Sequence, residues 1–363
     1  MPDAIWVDRS DELQALAAAL QAQSSIGVDT EFLRERTFFP KLCLLQLSAA
    51  GKIWCVDTLR MGDLQPLMPV LTSTDTRKLI HAARQDLEAL YLTGGHIVSP
   101  VFDTQIAAAC IGIKPQIGYA ELVKNLLDVT ILKGQTRTDW SKRPLSPEQL
   151  DYAADDVLYL GDIAAQLTLR LRQLGREEWV REDCAALADK RLYEADPARS
   201  WTRLRGIAQL APAPRARAKV IAMWRESLAR DRDLPRAWIL PDAAIFSIAL
   251  ANPSTPTALE KLQPMNAEFT ATLLEALGSA ARTDMDEGEG GPLLDLRPTP
   301  EQKITFERLV KIVDARAAEL QISAEILAPR GELKALAMGA RDSHALSGWR
   351  REQIGMRLLE SVN

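Results

Sequence analysis

Residues 24–32 place two carboxylates two positions apart in a segment typical of a short β-strand. Side chains alternate between the two faces of a strand, so Asp29 and Glu31 point to the same face. Two adjacent carboxylates repel each other, and their burial is costly unless a positive charge lies between them. The pair therefore belongs either to a solvent-facing strand or to a covered site with a special chemistry. The neighbouring strands decide between the two.

The next apolar segments favour a covered sheet. Residues 42–47 are apolar on both faces, as expected of a central strand, and residues 53–57 follow a tight turn at 49–52. The first three strands thus form a meander, with the two acids near the rim of a covered sheet. Residues 78–81 and 101–102 supply two more strands. We predict an α/β domain with a mixed five-stranded sheet and surrounding helices.

Helix signals occur between and after these strands. Residues 10–22 have the pattern of a capped amphipathic helix, and residues 82–92 follow the fourth strand. Asp103 is predicted to cap the next helix. Ser146 begins a capping box with proline at the first helical position, which predicts one long helix that ends near Leu174.

Composition divides the 363 residues into three units. Residues 1–196 hold the α/β pattern, and residues 196–200 form a plausible linker. Residues 201–283 and 293–363 are helical, with prolines at the breaks. Between the two helical units, residues 284–292 are acidic and rich in glycine, which predicts a flexible connection.

The composition excludes several classes of protein. The formal net charge is −5, so binding to a polyanion depends on how charge is distributed. The four cysteines are scattered without a C-x-x-C pair, which fits the reducing cytoplasm and gives no zinc site. With three histidines in the chain, any metal would be held mainly by oxygen. The sequence shows neither a signal peptide nor an apolar run that could span a bilayer, so we expect a cytoplasmic protein.

Four acids and one tyrosine stand out. Asp29 and Glu31 lie on the second predicted element, and Asp86 lies on the helix after the fourth strand. Tyr152 and Asp156 are four residues apart on a helix and share a face. In this order, on this pattern of strands and helices, they resemble the DEDD family of 3′–5′ exonucleases. The match is closest to the ribonuclease D family, and the tyrosine is typical of the tyrosine subclass.

The resemblance covers about residues 24–192, including the segments 137–140 and 143–145. It implies an RNase H-like fold and two divalent cations, Mg²⁺ or Mn²⁺, held by the four acids. Such ions activate a water and stabilise the leaving 3′ oxygen, so that 5′-nucleotides are released. Tyr152 is expected to orient the water, because a pKa of about 10 makes it a poor base. The predicted substrate contacts are Thr30, Phe32 and Arg137.

Two residues near these motifs have competing interpretations. Asp155 and Asp156 are adjacent, and a helix turns about 100° per residue, so only one of them can face the site. The spacing from Tyr152 favours Asp156. His81 lies at a strand end, and we interpret it as a packed histidine rather than a metal ligand.

The segment 201–240 carries nine basic residues against three acidic ones, a local excess of +6 in an acidic protein. Such a cluster is typical of a surface that binds a phosphate backbone. With Trp201 and Trp224 it resembles the HRDC domain, a helical module shared by helicases and ribonuclease D, and residues 293–363 resemble a degenerate second copy. The predicted RNA-binding residues of this tail are Arg203, Arg215, Arg217 and Lys219.

The resemblance thus predicts a 3′–5′ exoribonuclease that acts on transfer RNA precursors or other small structured RNAs. A 3′–5′ DNA exonuclease is an alternative, because the acids alone do not separate RNA from DNA. A noncatalytic RNA-binding scaffold is the alternative from another class. The presence of all four acids and the tyrosine speaks against it. The basic tail segment could instead dock a protein partner.

Overall fold

A six-stranded sheet forms the centre of the first unit, the α/β unit predicted for residues 1–196. The computed structural model describes residues 4–131, 134, 138–280 and 298–362. The strand order is β1-β4-β3-β2-β5-β6. The strands are Ile5–Val7 (β1), Ser25–Leu33 (β2), Lys41–Ala49 (β3), Lys52–Val56 (β4), Arg77–Ile80 (β5) and Val101–Asp103 (β6).

The sheet is mixed, as predicted. β2 and β4 both pair antiparallel with β3, which confirms the meander, and the pairs β1–β4, β2–β5 and β5–β6 are parallel. The predicted number of five strands was wrong, because β1 adds a sixth. This strand has three residues, lies at the edge of the sheet and pairs in parallel with β4, a partner far along the chain.

Helices cover both faces of the sheet. On one face, Leu13 and Leu90 pack in a common cluster with Val28 of β2. On the other face, Val157 and Leu160 pack in a cluster that extends to the later helices. The helices of this unit are Ser10–Gln21 (α1), Thr58–Met61 (α2), Met68–Leu71 (α3), Arg84–Gly94 (α4), Thr104–Cys110 (α5), Tyr119–Leu127 (α6), Pro147–Leu158 (α7), Leu160–Leu174 (α8) and Glu177–Ala186 (α9).

Two helix predictions need correction. The long helix that begins after Ser146 is divided into α7 and α8 at Tyr159, whose backbone is not helical (φ −99°, ψ 1°). The backbone N–H of Tyr159 donates to the hydroxyl of Tyr119 at 3.2 Å, so it leaves the helical hydrogen-bond pattern. At α1, Ser10 is the first helical residue, and the N-cap Arg9 makes no side-chain capping bond.

The first helical unit has its own core. Ile221, Ile245 and Leu273 are fully buried there, and Trp201 packs against the same cluster. The predicted linker at 196–200 lies largely in a 3₁₀ helix, Pro197–Arg203. The α-helices of the unit are Pro212–Asp231 (α10), Arg236–Ile239 (α11), Asp242–Ala251 (α12), Pro256–Leu262 (α13) and Ala267–Ala280 (α14).

The second helical unit packs directly on the α/β unit. Trp349 stacks on Trp179 of α9 with ring centroids 4.1 Å apart, and Arg350 pairs with Asp183 at 2.5 Å. Its buried side chains belong to the same cluster as Leu160. Its helices are Pro300–Leu320 (α15), Ala324–Leu327 (α16), Arg330–Ala337 (α17), Gly348–Arg350 (α18) and Met356–Val362 (α19), with a π-helical turn at Arg351–Gly355.

The domain boundaries at 1–196, 201–283 and 293–363 stay predictions, as does the likeness of the last unit to a second HRDC copy. The acidic segment 284–292 lies outside the described residues. No helix in the described part of the chain is long and apolar enough to cross a membrane.

Candidate active site

Strand β2 and helix α7 form the two walls of the acidic site. Asp29 and Glu31 lie on β2, on the face that α7 covers. Ser48 of the adjacent strand donates a hydrogen bond to the carbonyl oxygen of Val157 at 2.8 Å, so the helix lies close to the sheet. A Cβ atom at Gly27 would lie 2.2 Å from Ser48 Oγ, which makes glycine necessary for this close approach.

Helix α7 directs one carboxylate to the acidic strand. Its start is fixed by the predicted capping box, in which Ser146 and Gln149 exchange side-chain hydrogen bonds with each other's backbone. Carboxylate oxygens of Asp29, Glu31 and Asp156 all lie within 4.8 Å of one another. Asp155 instead lines a different surface, beside Trp6 and Leu150. The structure thus brings Asp156, and not Asp155, next to Asp29 and Glu31, and the role of Asp156 as a metal ligand stays a prediction.

Tyr152 lies one turn before Asp156 and is supported by a loop that the sequence motifs did not explain. Its ring packs against Trp140, with centroids 6.1 Å apart. Arg143 fixes this loop. Its guanidinium donates to both carboxylate oxygens of Asp57, at 2.7 and 2.8 Å, and to the carbonyl of Cys43 at 2.8 Å. The Asp57–Arg143 pair thus orients the loop beside the tyrosine.

The fourth acid, Asp86, lies beside the three-carboxylate cluster rather than within it. It is buried in the first turn of α4, where it accepts a hydrogen bond from Thr30 Oγ1 at 2.6 Å. The turn before α4 is held by Asp103, which accepts bonds from the backbone N–H groups of Ala82 (3.1 Å) and Ala83 (2.8 Å). Asp103 also caps α5, as predicted, so one carboxylate fixes both helix starts.

The four acids strongly perturb one another. Burial, and then the charges of Asp86, Asp156 and Glu31, raise the pKa of Asp29 well above its usual range. Burial and the nearby Asp156 and Asp86 raise the pKa of Glu31 to about 9. Burial also raises the pKa values of Asp86 and Asp156 to about 7. A divalent cation would favour the charged forms, and hard oxygen donors are the ligands it prefers, so these residues fit such an ion.

Gln46 is a residue that the sequence reasoning passed over. It lies on β3 directly opposite Asp29 and is fully buried. Within the described residues, neither its amide nitrogen nor its amide oxygen has a hydrogen-bond partner. A buried polar group of this kind requires an explanation, because leaving it unpaired costs about 1–3 kcal/mol. The available signal was a glutamine in an otherwise apolar central strand, next to the acidic one.

The structure describes two of the three predicted substrate contacts, Thr30 and Phe32. The hydroxyl of Thr30 is engaged by Asp86, and Phe32 is half-buried against the core on the opposite face from α7. Arg137 lies outside the described residues. His81 is packed, as interpreted. Its ring nitrogens lie 2.8 Å from Thr104 Oγ1 and 2.9 Å from the Ile117 carbonyl, and burial lowers its pKa.

The basic residues of the tail make contacts within the protein. Arg203 pairs with Glu226 at 3.2 Å, and Arg217 donates to the Ala249 carbonyl at 2.6 Å. Lys219 lies over the Trp201 ring at 4.1 Å, and Arg215 is half-buried on α10. Of these contacts, the Arg203–Glu226 pair reduces the charge available to a ligand, and the role of the four residues in RNA binding stays a prediction.

Comparison with known proteins agrees with this geometry. Residues 4–172 match the 3′-5′ exonuclease family, and residues 215–278 match the HRDC domain. A ribonuclease D from Xanthomonas oryzae pv. oryzae is 37% identical, with 98% of each chain covered. One from Granulibacter bethesdensis is 35% identical over 100% of this chain and 93% of that protein.

Solved structures extend the comparison to the whole fold. The crystal structure of Escherichia coli RNase D, described as an exoribonuclease involved in structured RNA processing, has a TM-score of 0.90 with 29% identity over 99% of this chain and 98% of that chain. The catalytic core of RRP6 from Trypanosoma brucei has a TM-score of 0.61 with 25% identity over 78% of this chain and 81% of that chain. The predictions of an exonuclease fold and of a helical HRDC domain are confirmed. With its carboxylate cluster and these full-length relatives, the chain belongs to the ribonuclease D family of 3′–5′ exoribonucleases.

Proposed function

We propose that this protein trims the 3′ ends of transfer RNA precursors and other small structured RNAs in the cytoplasm. The observation that carries the proposal is the cluster of Asp29, Glu31 and Asp156, with carboxylate oxygens within 4.8 Å of one another and Tyr152 one helical turn away. The Escherichia coli relative is described as acting in structured RNA processing, which supports this substrate class.

The four acids of the site are proposed to hold the metal ions. Asp29, Glu31 and Asp156 would hold divalent cations, Mg²⁺ or Mn²⁺, and Asp86 would complete the set from α4. When bound, two such ions lower the pKa of an attacking water and stabilise the leaving 3′ oxygen. The three clustered acids come from one strand and one helix, both packed in the core, so they require little rearrangement to bind cations.

Tyr152 is suited to donate a hydrogen bond rather than to accept a proton. Burial and the neighbouring Asp156, Glu31 and Asp29 raise its pKa, so in the metal-free protein the hydroxyl stays protonated at neutral pH. A protonated hydroxyl at this place can orient the water that attacks the phosphodiester. The ring is fixed by its contact with Trp140, which lowers the entropy cost of holding that geometry.

Two groups of residues are proposed to contact different parts of the RNA. Thr30, Phe32 and Arg137 would contact the 3′-terminal nucleotides. Arg203, Arg215, Arg217 and Lys219 of the first helical unit would contact phosphates of the RNA body. The relatives named ribonuclease D favour RNA over DNA as the substrate.

The experiment uses the purified full-length protein with RNA and DNA oligomers labelled at the 5′ or the 3′ end. With Mg²⁺ or Mn²⁺, we expect a shortening ladder from 5′-labelled RNA and labelled mononucleotide from 3′-labelled RNA. Asp156→Asn should lower the rate by at least about 10³-fold, because an amide cannot balance a divalent charge. Asp155→Asn is the matched control and should retain activity. Wild-type hydrolysis in excess chelator would contradict the metal assignment.

The substrate class is tested with a transfer RNA precursor that carries a 3′ trailer. We expect the trailer to be removed while the folded body remains intact. A single-stranded RNA of the trailer sequence is the control for trimming without a folded body. Digestion of the single strand without trimming of the precursor would contradict the structured-RNA proposal but leave the exonuclease assignment in place.

A further inference from the structure

The loop that connects β2 to β3 inserts a side chain into the first helical unit. Phe38 is 5% exposed, although it belongs to a short surface connection of the catalytic unit. Its ring packs in the hydrophobic cluster of the helical unit, together with Trp201 and Ile239. The guanidinium of Arg236 lies over the same ring, 4.5 Å from its centroid. A residue of the catalytic unit thus completes the core of another unit.

A second contact fixes the backbone of this loop. Oδ1 of Asp233 accepts hydrogen bonds from the backbone N–H groups of Phe38 and Phe39, both at 3.0 Å. Asp233 itself adopts a left-handed backbone conformation (φ 49°), which is uncommon for a residue other than glycine, asparagine or aspartate. The helical unit thus presents this carboxylate on a turn whose geometry few residues tolerate.

The cation above Phe38 is also fixed. Arg236 forms a two-pronged pair with Glu226, at 2.5 and 2.6 Å, and this glutamate is 1% exposed. Burial alone would raise the pKa of Glu226, but its pairing with Arg236 and Arg203 holds the pKa below its usual value. If Arg236 left the ring of Phe38, the buried carboxylate of Glu226 would keep only Arg203, at 3.2 Å, as its cationic partner, which is costly for a buried charge.

The same loop is tied to the helix that carries the fourth acid. Arg34 donates to both carboxylate oxygens of Glu88, at 2.6 and 2.8 Å. Glu88 lies on α4 two residues after Asp86, and the loop begins directly after β2, which carries Asp29 and Glu31. The loop is therefore in contact with the helical unit at one end and with both acidic elements at the other.

We propose that the first helical unit positions the active site through this loop, with Phe38 and Asp233 as the positioning residues. We call the contacts of Phe38 with Asp233 and Arg236 the loop clamp. The clamp holds residues 34–40, and with them the end of β2 and the Arg34–Glu88 pair. The helical unit then contributes to hydrolysis of every substrate, including RNAs too short to reach its basic residues.

The test compares two substitutions at Asp233 in the full-length protein. Asp233→Gly removes the acceptor but tolerates the left-handed backbone, whereas Asp233→Asn keeps both an acceptor oxygen and that backbone. We measure kcat and KM on a short oligoribonucleotide and on a longer structured RNA. We expect Asp233→Gly to lower kcat on both substrates by about 10-fold, the scale of a small misplacement of reacting groups. Asp233→Asn should stay within about 2-fold of the wild type.

A second readout follows the loop itself. Arg36 is exposed within the loop, so limited trypsin digestion followed by mass spectrometry reports its mobility through cleavage after this residue. We expect faster cleavage in Asp233→Gly and in Phe38→Leu, and wild-type cleavage in Asp233→Asn. Asp231→Asn, a substitution of the exposed last residue of α10, is the control. Melting curves ensure that every assay is run on folded protein.

The two readouts together distinguish a positioning role of the helical unit from an RNA-binding or stabilising role. A drop in kcat on the short substrate together with faster loop cleavage supports the clamp. Faster cleavage with unchanged kcat, or an effect confined to KM for the long RNA, overturns it and leaves the helical unit as an RNA-binding or stabilising part. Since wild-type trimming is measured in the same assay, a failure of the clamp is distinguishable from a failure of the proposed substrate class.

Discussion

Neutralising one carboxylate of the site should stabilise the metal-free protein while it removes activity. Glu31 shows the effect most clearly, because burial and the neighbouring Asp156 and Asp86 raise its pKa to about 9 from an ordinary value of 4.5. Between pH 4.5 and pH of about 9, the side chain therefore keeps a proton in the folded state that it has lost in the unfolded chain. In Glu31→Gln this proton-linked cost is absent, since the amide carries no charge at any pH. The substitution also keeps the size of the side chain.

The size of the effect depends on pH in a defined direction. Because the folded-state pKa is raised, the wild type has no penalty below pH of about 4.5 and loses stability as pH rises towards about 9. At pH 7 the full penalty is at most about 3 kcal/mol. Glu31 is half-buried, so we discount this to about 1–2 kcal/mol. For a unit of this size, that corresponds to a melting temperature higher by about 2–8 °C in Glu31→Gln.

The assay is thermal unfolding in excess chelator between pH 4.5 and pH 8, followed by titration with Mg²⁺. Glu35→Gln is the matched control, since Glu35 is exposed in the loop that follows the same strand. We expect the gain of Glu31→Gln to grow with pH, and added Mg²⁺ to stabilise the wild type more than the variant. A variant that is no more stable than the wild type at pH 8, or a gain that is largest at pH 4.5, would refute the reasoning.

Three further predictions concern other parts of the site and the tail. Tyr152→Phe should lower kcat by about 10²–10⁴-fold while Mg²⁺-induced thermal stabilisation stays at the wild-type value, and an unchanged kcat would show that the ring only packs. Gln46→Met should raise the free energy of unfolding of the metal-free protein by about 1–3 kcal/mol, because it removes two unpaired buried polar atoms. The same substitution should lower kcat, and an unchanged kcat would exclude a role of Gln46 beside Asp29. Reversal of Arg215, Arg217 and Lys219 to Glu should reduce the log–log salt slope of RNA binding by about 0.7 per lost phosphate contact, measured by fluorescence anisotropy with circular dichroism as the folding control.

The elements that form the acidic site were predictable because their signals are local. The alternation of Asp29 and Glu31, the capping box at Ser146 and the four-residue spacing from Tyr152 to Asp156 each depend on a few neighbouring residues. The structure keeps all three patterns. These local patterns do not predict how far apart the elements lie in the folded protein. The place of Asp86 beside Thr30, rather than among the other acids, depends on how α4 leaves the sheet.

The missed features all depend on partners far apart in the chain. Arg143 was recognised only as part of a motif, but it binds Asp57 of a different element and so orients the loop next to the tyrosine. Tyr159 interrupts a strong helical pattern because its N–H finds the hydroxyl of Tyr119. In both cases a single long-range hydrogen-bonding partner outweighs a local preference, and no window of the sequence contains that partner.

Partners that are distant in the sequence also change the charge that the tail can offer to RNA. The excess of +6 in residues 201–240 omits two acids that lie later in the helical unit. Asp242 pairs with Arg225 at 2.6 Å, and Glu268 pairs with Arg232, while Glu226 within the window is fully buried between two arginines. Arginines that hold the helical unit together are not available to release counterions from RNA. The salt dependence of binding should therefore count fewer phosphate contacts than the nine basic residues of the window. A slope near nine contacts would mean that RNA breaks these internal pairs. Four of the nine basic residues are paired in this way, so a slope of five contacts or fewer would mean that the pairs persist in the complex.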